Sequence, residues 1–213
     1  MNVPDPTYRA LRRLQLLTGV VPVGLFILSH FAINFRAVGG REAYQATVEG
    51  LARLPWLHAV EAVAIALPIA AHIALGWALG TTRQDSREPA YPSVAWRWLQ
   101  RATGLYLSIY VVFHVWSVRL SPARLANRHP LFDLMAAQLA HPAVLALQGA
   151  AVLAAAAHFS GGVLALGGPH GFARRPAGRR ALSALAGLSF VVLTAMGLSG
   201  LLAFVWPAAR WLS

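Results

Sequence analysis

Residues 14–35 read LQLLTGVVPVGLFILSHFAINF, a stretch of 22 residues that carries no charged side chain and contains one histidine, His30. At about 1.5 Å per residue, a helix of this length measures about 33 Å and crosses the hydrocarbon core of a bilayer. An ionisable side chain inside such a helix is costly to bury and is rare without a function. The stretch therefore predicts a membrane-spanning helix that carries a buried imidazole.

Four further apolar stretches follow along the 213-residue chain. The five predicted spans are about 14–35, 57–79, 99–119, 142–166 and 181–206. The chain is 57% hydrophobic and 12% charged, whereas an ordinary soluble domain is about 25% charged. The alternative of five buried soluble helices fails because no polar domain remains to bury them. We expect an all-α integral membrane protein that forms one domain over residues 1–213.

The chain contains no cysteine and no lysine, and all 18 of its cationic side chains are arginine. Disulfides and cysteine-held iron–sulfur clusters are thereby excluded. The net charge of +11 lies mainly between the spans, so it indicates membrane topology rather than nucleic-acid binding. Eleven arginines fall on the side of the N-terminus and seven on the other side. This bias places the N-terminus in the cytoplasm and the C-terminus outside.

One histidine lies inside each of the first four spans. They are His30, His72, His114 and His158, at intervals of 42, 42 and 44 residues. In the predicted orientation, His30 and His114 lie roughly 22–24 Å from the cytoplasmic ends of their helices, and we call them the outer pair. His72 and His158 lie roughly 10–12 Å from those ends, and we call them the inner pair.

Two histidines at each of two depths predict that the first four spans form a bundle that binds two haems. Imidazole is a common axial ligand of haem iron, and bundles hold cofactors between facing helices. We expect one haem b in the outer pair, one in the inner pair, and span five at one side of the bundle. The alternative is four separate polar residues, each hydrogen-bonded to a neighbouring helix, but the matched depths favour haem.

A six-residue pattern, L-Q-x-x-T-G, occurs at 14–19 and again at 99–104. A histidine of the outer pair follows its glycine after 11 or 10 residues, so the repeat places the outer pair at equivalent positions. Glycines in the spans allow close helix packing or leave room for a flat porphyrin. Pro22 and Pro68 are expected to kink spans one and two.

Four features together carry a resemblance to a known family. They are the five spans, the four histidines, the R-x-L-Q-x-x-T-G-like openings at 12–19 and 97–104, and the H-x-x-x-N of 30–34. Over nearly its whole length the chain resembles the dihaem cytochrome b membrane-anchor subunits of succinate dehydrogenase and fumarate reductase. The resemblance implies the same two axial pairs, with the inner pair nearer the iron–sulfur subunit.

The family also implies partners and a location. A flavoprotein subunit carries out the succinate or fumarate chemistry, an iron–sulfur subunit relays electrons, and the anchor exchanges them with a membrane quinone, usually menaquinone. The resemblance thus implies a respiratory-chain and tricarboxylic-acid-cycle complex, seated in the lipid of a bacterial cytoplasmic membrane. Some family members carry a glutamate linked to proton transfer two residues before the fourth ligand, and here that position is Ala156.

Quinone chemistry moves protons, so its site needs an acid or base in contact with water. The family places the site near the outer haem, where the candidates are Trp56, His58 and Glu61 at the start of span two, with Glu49 in the preceding loop. The alternative is that His58 and Glu61 are interfacial residues and that Trp56 belongs to the aromatic belt.

Haem propionates are anionic and usually bind cations. Arg36 and Arg119 follow the two histidines of the outer pair and are the candidates for the outer haem. Arg83 or Arg101 is the candidate for the inner haem. Membrane topology alone would also place arginines at these positions.

Two other functions stay open from the sequence. The chain could be the quinone-reactive cytochrome b subunit of another respiratory complex, of the hydrogenase or formate dehydrogenase type. It could also be a scaffold or transporter without a cofactor. Co-purifying soluble subunits distinguish the first alternative, and an optical spectrum distinguishes the second.

Overall fold

The computed structural model describes residues 5–81, 93–120, 130–168 and 175–206. Every regular element in these ranges is helical, and five helical segments are long and apolar enough to cross a membrane. We call them spans one to five: Pro6–Gly39, Leu57–Gly80, Val94–Leu120, Pro142–Ala165 and Pro176–Val205. The prediction of an all-α membrane protein with five spans is confirmed.

Nine α-helices make up these spans and their connections. They are α1 (Pro6–Val20), α2 (Pro22–Phe35), α3 (Arg41–Ala52), α4 (Leu57–Val60), α5 (Leu67–Gly80), α6 (Val94–Val115), α7 (Leu131–Leu139), α8 (Pro142–Ala165) and α9 (Pro176–Val205) within the described ranges. Spans one, three and five begin earlier than predicted because the arginine-containing segments 6–13, 94–98 and 176–180 are helical as well. In α1, for example, Arg12 is buried although it is charged.

Proline interrupts span one as predicted. The helix α1 ends at Val20 and α2 begins at Pro22, with Val21 between them at φ −88° and ψ −78°. Proline lacks an N–H and its ring clashes with the carbonyl four residues earlier, so the α-helix cannot continue unbroken. In span two, a π-helical turn, Glu61–Ala66, directly precedes the helix that contains Pro68. A second π-helical turn, Trp116–Leu120, ends span three.

Two amphipathic helices, α3 and α7, cover one end of the bundle, which we call the cap end. Both segments lie between predicted spans, and Glu49 of α3 was expected in a loop, so their helical structure is a correction. Their apolar faces pack with the C-terminal part of span five in one cluster: Ala37, Tyr44, Phe132, Met135, Leu139, Leu201, Ala203 and Phe204. Arg41 of α3 donates two hydrogen bonds, of 2.8 and 2.7 Å, to the Asp133 carboxylate of α7. These bonds raise the pKa of the Arg41 guanidinium.

Span five packs against spans one and four and closes that side of the bundle. A Cβ at Gly197 would lie 2.6 Å from Val152 of span four and 2.8 Å from Phe31 of span one. A Cβ at Gly200 would lie 2.9 Å from the Asn34 carbonyl oxygen. Glycine is therefore needed at both positions for the helices to approach this closely.

Candidate haem-binding site

The structure brings the four histidines of the spans together in two pairs. The ring centroids of His30 and His114 lie 5.8 Å apart, and the ring planes are 89° to each other. The ring centroids of His72 and His158 lie 6.1 Å apart, with ring planes at 85°. The outer pair thus links spans one and three, and the inner pair links spans two and four.

Both pairs fit an iron held between two imidazoles. A metal–imidazole nitrogen bond is about 2 Å long, so two such bonds and the two ring radii place ring centroids about 6 Å apart. The measured distances are 5.8 and 6.1 Å. Within the described ranges, no three His, Cys, Asp or Glu side chains come together as a metal site. A porphyrin needs only two axial ligands from the protein, and each pair contains two imidazoles.

His72 of the inner pair rests on the first L-Q-x-x-T-G segment. Its Nδ1 lies 3.0 Å from the Gln15 carbonyl oxygen. Because a carbonyl only accepts, Nδ1 carries the proton and the Nε2 lone pair is available for a metal. Gly19 makes this contact possible, since a Cβ there would lie 2.5 Å from Cε1 of His72.

His158 rests in the same way on the second copy of the segment. Its Nδ1 lies 3.1 Å from the Thr103 Oγ1, whose own O–H donates to the Leu99 carbonyl at 2.7 Å. Gln100 Nε2 donates to the His158 carbonyl at 3.0 Å. A Cβ at Gly104 would lie 2.9 Å from the ring. Each copy of the repeat stands at nearly the same number of residues before a histidine of the outer pair. Its own residues, however, contact the histidines of the inner pair.

The outer pair has different neighbours. Nδ1 of His114 lies 3.2 Å from the Tyr110 hydroxyl oxygen, and Tyr110 donates to Oε1 of Gln148 on span four. Nδ2 of Asn34 lies 2.8 Å from the His30 carbonyl and 3.3 Å from His30 Nε2. Three histidines therefore make their side-chain hydrogen bond through Nδ1, and His30 makes it through Nε2.

Sequence reasoning missed the residues that hold the imidazoles. The repeat was a signal for Gln15, Gln100 and Thr103, but it did not show which histidine they contact. Tyr110 could have been found from its position one helical turn before His114. Gln148, a buried amide in an apolar span, was a further signal because polar groups in spans are rare without a role.

The four arginines proposed for the propionates have different surroundings. Arg36 is exposed at the end of span one. Arg119 forms an ion pair with Glu61. Arg101 donates to the Gly80 carbonyl at 3.3 Å and lies over the Trp98 ring at 5.8 Å. Arg83 lies outside the described residues.

Two of the three quinone candidates come together at the cap end. Glu61 accepts from Arg119, and its Oε2 lies 3.3 Å from Nδ1 of His58. Both Glu61 and Arg119 lie in π-helical turns, which occur frequently at functional sites. Trp56 stays apart with 82% of its surface exposed, in a left-handed conformation at φ 63°. Glu49 instead accepts from Gln45 on α3 at 3.0 Å.

The chain is similar to the succinate dehydrogenase cytochrome b558 subunit of Bacillus subtilis strain 168. The two are 33% identical over 195 residues, which is 91% of this chain and 96% of that protein. No protein-family model matches the chain, and no solved structure matches it. On this near full-length similarity, the chain belongs to the family of cytochrome b membrane-anchor subunits of succinate dehydrogenase and fumarate reductase.

Proposed function

We propose that this chain is the dihaem anchor of a succinate:quinone oxidoreductase and passes electrons between an iron–sulfur subunit and a membrane quinone. The observation that carries the proposal is the presence of two imidazole pairs, each with the ring separation expected of two axial ligands on one iron. Family membership supports the association with flavoprotein and iron–sulfur subunits. It also favours this function over a hydrogenase-type anchor or a scaffold without cofactor.

The two pairs suit electron transfer across the membrane. Gly19 lies against His72 of the inner pair, and His30 of the outer pair follows 11 residues later on the same span. At about 1.5 Å per residue, the two levels are about 16 Å apart along span one. Bound haems supply one-electron carriers at these levels. The protein holds each imidazole in place through a hydrogen bond to a neighbouring group.

The arginine distribution supports an orientation with the N-terminus in the cytoplasm of a bacterial cell and the cap end outside. In this orientation the inner pair, His72 and His158, faces the iron–sulfur subunit. The propionates of the outer haem would bind Arg36 and Arg119, and those of the inner haem Arg101 and Arg83. Because Arg119 also pairs with Glu61, it would link the outer haem to the proposed quinone site.

Quinone would react at the cap end, beside the outer pair. A shallow, open depression of about 600 Å³ lies on one face of span three. It is lined by Ser108, Ile109, Val112, Phe113 and Trp116. The apolar lining suits a quinone with its isoprenoid tail, and the Glu61 carboxylate lies near the end of the same span. His58, with 91% of its side chain exposed, would carry protons between Glu61 and water.

A proton path through span four is not part of this proposal. Ala156 occupies the position where some family members have glutamate, and it is fully buried against Phe31 and Leu193. Its methyl group carries no exchangeable proton. We infer that quinone protons are exchanged at the cap end, through Glu61 and His58.

The test is haem reduction in the purified complex, with all its natural subunits. Adding succinate should reduce b-type haem, and adding a short-chain menaquinone analogue should then reoxidise it. Fumarate added to the dithionite-reduced complex should also reoxidise haem. One result would refute the proposed role. In a complex whose flavin is reduced by succinate, the haem would be reduced by dithionite but not by succinate.

A further inference from the structure

We infer that Tyr110 and Gln148 form a hydrogen-bonded chain that positions His114 and sets the reduction potential of the outer haem. The inference rests on the proposed function, because it takes His114 as an axial ligand. Tyr110 and Gln148 are positioning residues, since they act on the iron only through the imidazole.

The direction of the hydrogen bonds follows from the atoms. The Tyr110 O–H donates to Oε1 of Gln148, an amide oxygen that can only accept. The hydroxyl oxygen is therefore left to accept from Nδ1–H of His114, 3.2 Å away. The Tyr110 and His114 rings are also stacked, with centroids 5.4 Å apart and planes at 25°. This arrangement fixes both the proton position and the ring orientation of His114.

The chain of hydrogen bonds lies inside the protein. Gln148 is only 5% exposed, and Tyr110 and His114 are half-buried. In such surroundings each bond strengthens the next, so donation to Gln148 makes the tyrosine oxygen a better acceptor. A good acceptor at Nδ1 raises the basicity of the ligating nitrogen. A more basic ligand stabilises ferric over ferrous haem and lowers the reduction potential.

The two levels of the bundle differ in the group that accepts a hydrogen bond from the histidine Nδ1. At the inner level, the Nδ1 acceptors are a backbone carbonyl, of Gln15, and the hydroxyl of Thr103. At the outer level, the Nδ1 acceptor of His114 is a phenol oxygen polarised by a buried amide. The identity of the Nδ1 acceptor is thus a means by which one chain gives its two haems different potentials.

Tyr110→Phe tests the inference, with Tyr106→Phe as the matched control. Tyr106 lies one turn earlier on the same helix, its ring stacks on Tyr110, and its hydroxyl donates to the Leu147 carbonyl at 2.8 Å. Redox titration of the purified complex gives both potentials. Tyr110→Phe should shift the outer haem to more positive potential, with about a fivefold higher reduced-to-oxidised ratio at a fixed ambient potential. The inner haem, and both haems of Tyr106→Phe, should keep their potentials.

Gln148→Leu provides a second test in which the tyrosine hydroxyl stays in place. It should shift the reduction potential of the outer haem in the same direction by a smaller amount. If Tyr110→Phe loses the outer haem, the potential measured in Gln148→Leu decides the test. Thr103→Val should shift the inner haem and leave the outer one unchanged. If Tyr110→Phe or Gln148→Leu retains both haems at wild-type potentials, the inference is overturned. If the wild-type complex has no haem, the proposed function itself fails.

Discussion

The imidazole planes of His72 and His158 stand 85° to each other across a centroid distance of 6.1 Å. Each ring is held by a different span, His72 by the Gln15 carbonyl and His158 by the Thr103 hydroxyl. The perpendicular arrangement is therefore fixed by helix packing. The outer pair shows nearly the same angle, 89°, although its hydrogen bonds are different.

The ring angles predict an EPR signature. Perpendicular axial imidazoles act equally on the two iron d orbitals that interact with their π systems, so these orbitals are nearly degenerate. Both ferric haems should give highly anisotropic low-spin signals, with the largest g value above that of parallel bis-imidazole haem. Low-temperature EPR of the oxidised complex measures this, and ordinary rhombic spectra would show that the rings turn parallel around the iron.

Gly19→Ala should weaken binding of the inner haem. The new Cβ would lie 2.5 Å from His72, so the imidazole must move out of its position against span one. Loss of such support typically lowers metal affinity by roughly 10–100-fold. Haem content and redox titration should show loss at the inner level alone.

Gly187→Ala is the control for this substitution. Gly187 also lies in a membrane span, and a Cβ there meets no described atom within 4 Å. Its haem content should equal that of the wild type. If both alanine variants retained two haems with wild-type potentials, the close approach of His72 to Gly19 would have no role in haem binding.

Glu61→Gln should slow the quinone reaction while leaving haem binding intact. The amide keeps the size of the side chain but cannot accept a proton as a base. General acid–base catalysis contributes roughly 10²–10⁴-fold, so the quinone-dependent rate should fall by roughly a hundredfold or more. Haem reduction by succinate should stay fast.

Glu49→Gln is the matched control, because the Glu49 carboxylate accepts a hydrogen bond from Gln45 on α3 and does not contact Glu61 or Arg119 in the described hydrogen bonds. Equal effects of the two variants would contradict the role of Glu61.

Apolar packing, rather than the Arg41–Asp133 ion pair, should hold the cap end together. Leu139 is 1% exposed in the cluster formed by α3, α7 and span five, and Leu→Ala at such sites costs about 2–5 kcal/mol. The ion pair is half-exposed, and such pairs contribute little in water. Thermal unfolding in detergent should show a lower Tm for Leu139→Ala and an unchanged Tm for Arg41→Ala. The opposite order would assign the stability of the cap to the ion pair.

The sequence predicted the five spans because hydrocarbon admits few charges, and runs without charge mark where the chain crosses. It placed four histidines on two levels because the helical rise converts residue number into depth. It did not predict α3 and α7, whose mixed polarity resembles that of a loop. It also missed the contacts of Gln15, Thr103 and Tyr110 with histidines. Contacts such as Gln15–His72 depend on how one helix is rotated against another, and a single-chain pattern does not contain that rotation.

Alanine at each histidine tests the assignment of the pairs. His72→Ala or His158→Ala should remove mainly the inner haem, and His30→Ala or His114→Ala mainly the outer one. The two haems are distinguished by redox titration of each variant. If His30→Ala and His72→Ala lose the same haem, the pairs are wrongly assigned.

The ratio of haem b to this polypeptide tests the central claim most directly. A pyridine haemochrome assay on the purified, intact complex, combined with quantitation of the chain, gives that number. Two facing imidazole pairs predict two haems per chain. A ratio of one or zero would contradict the account, because at least one pair would then hold no iron.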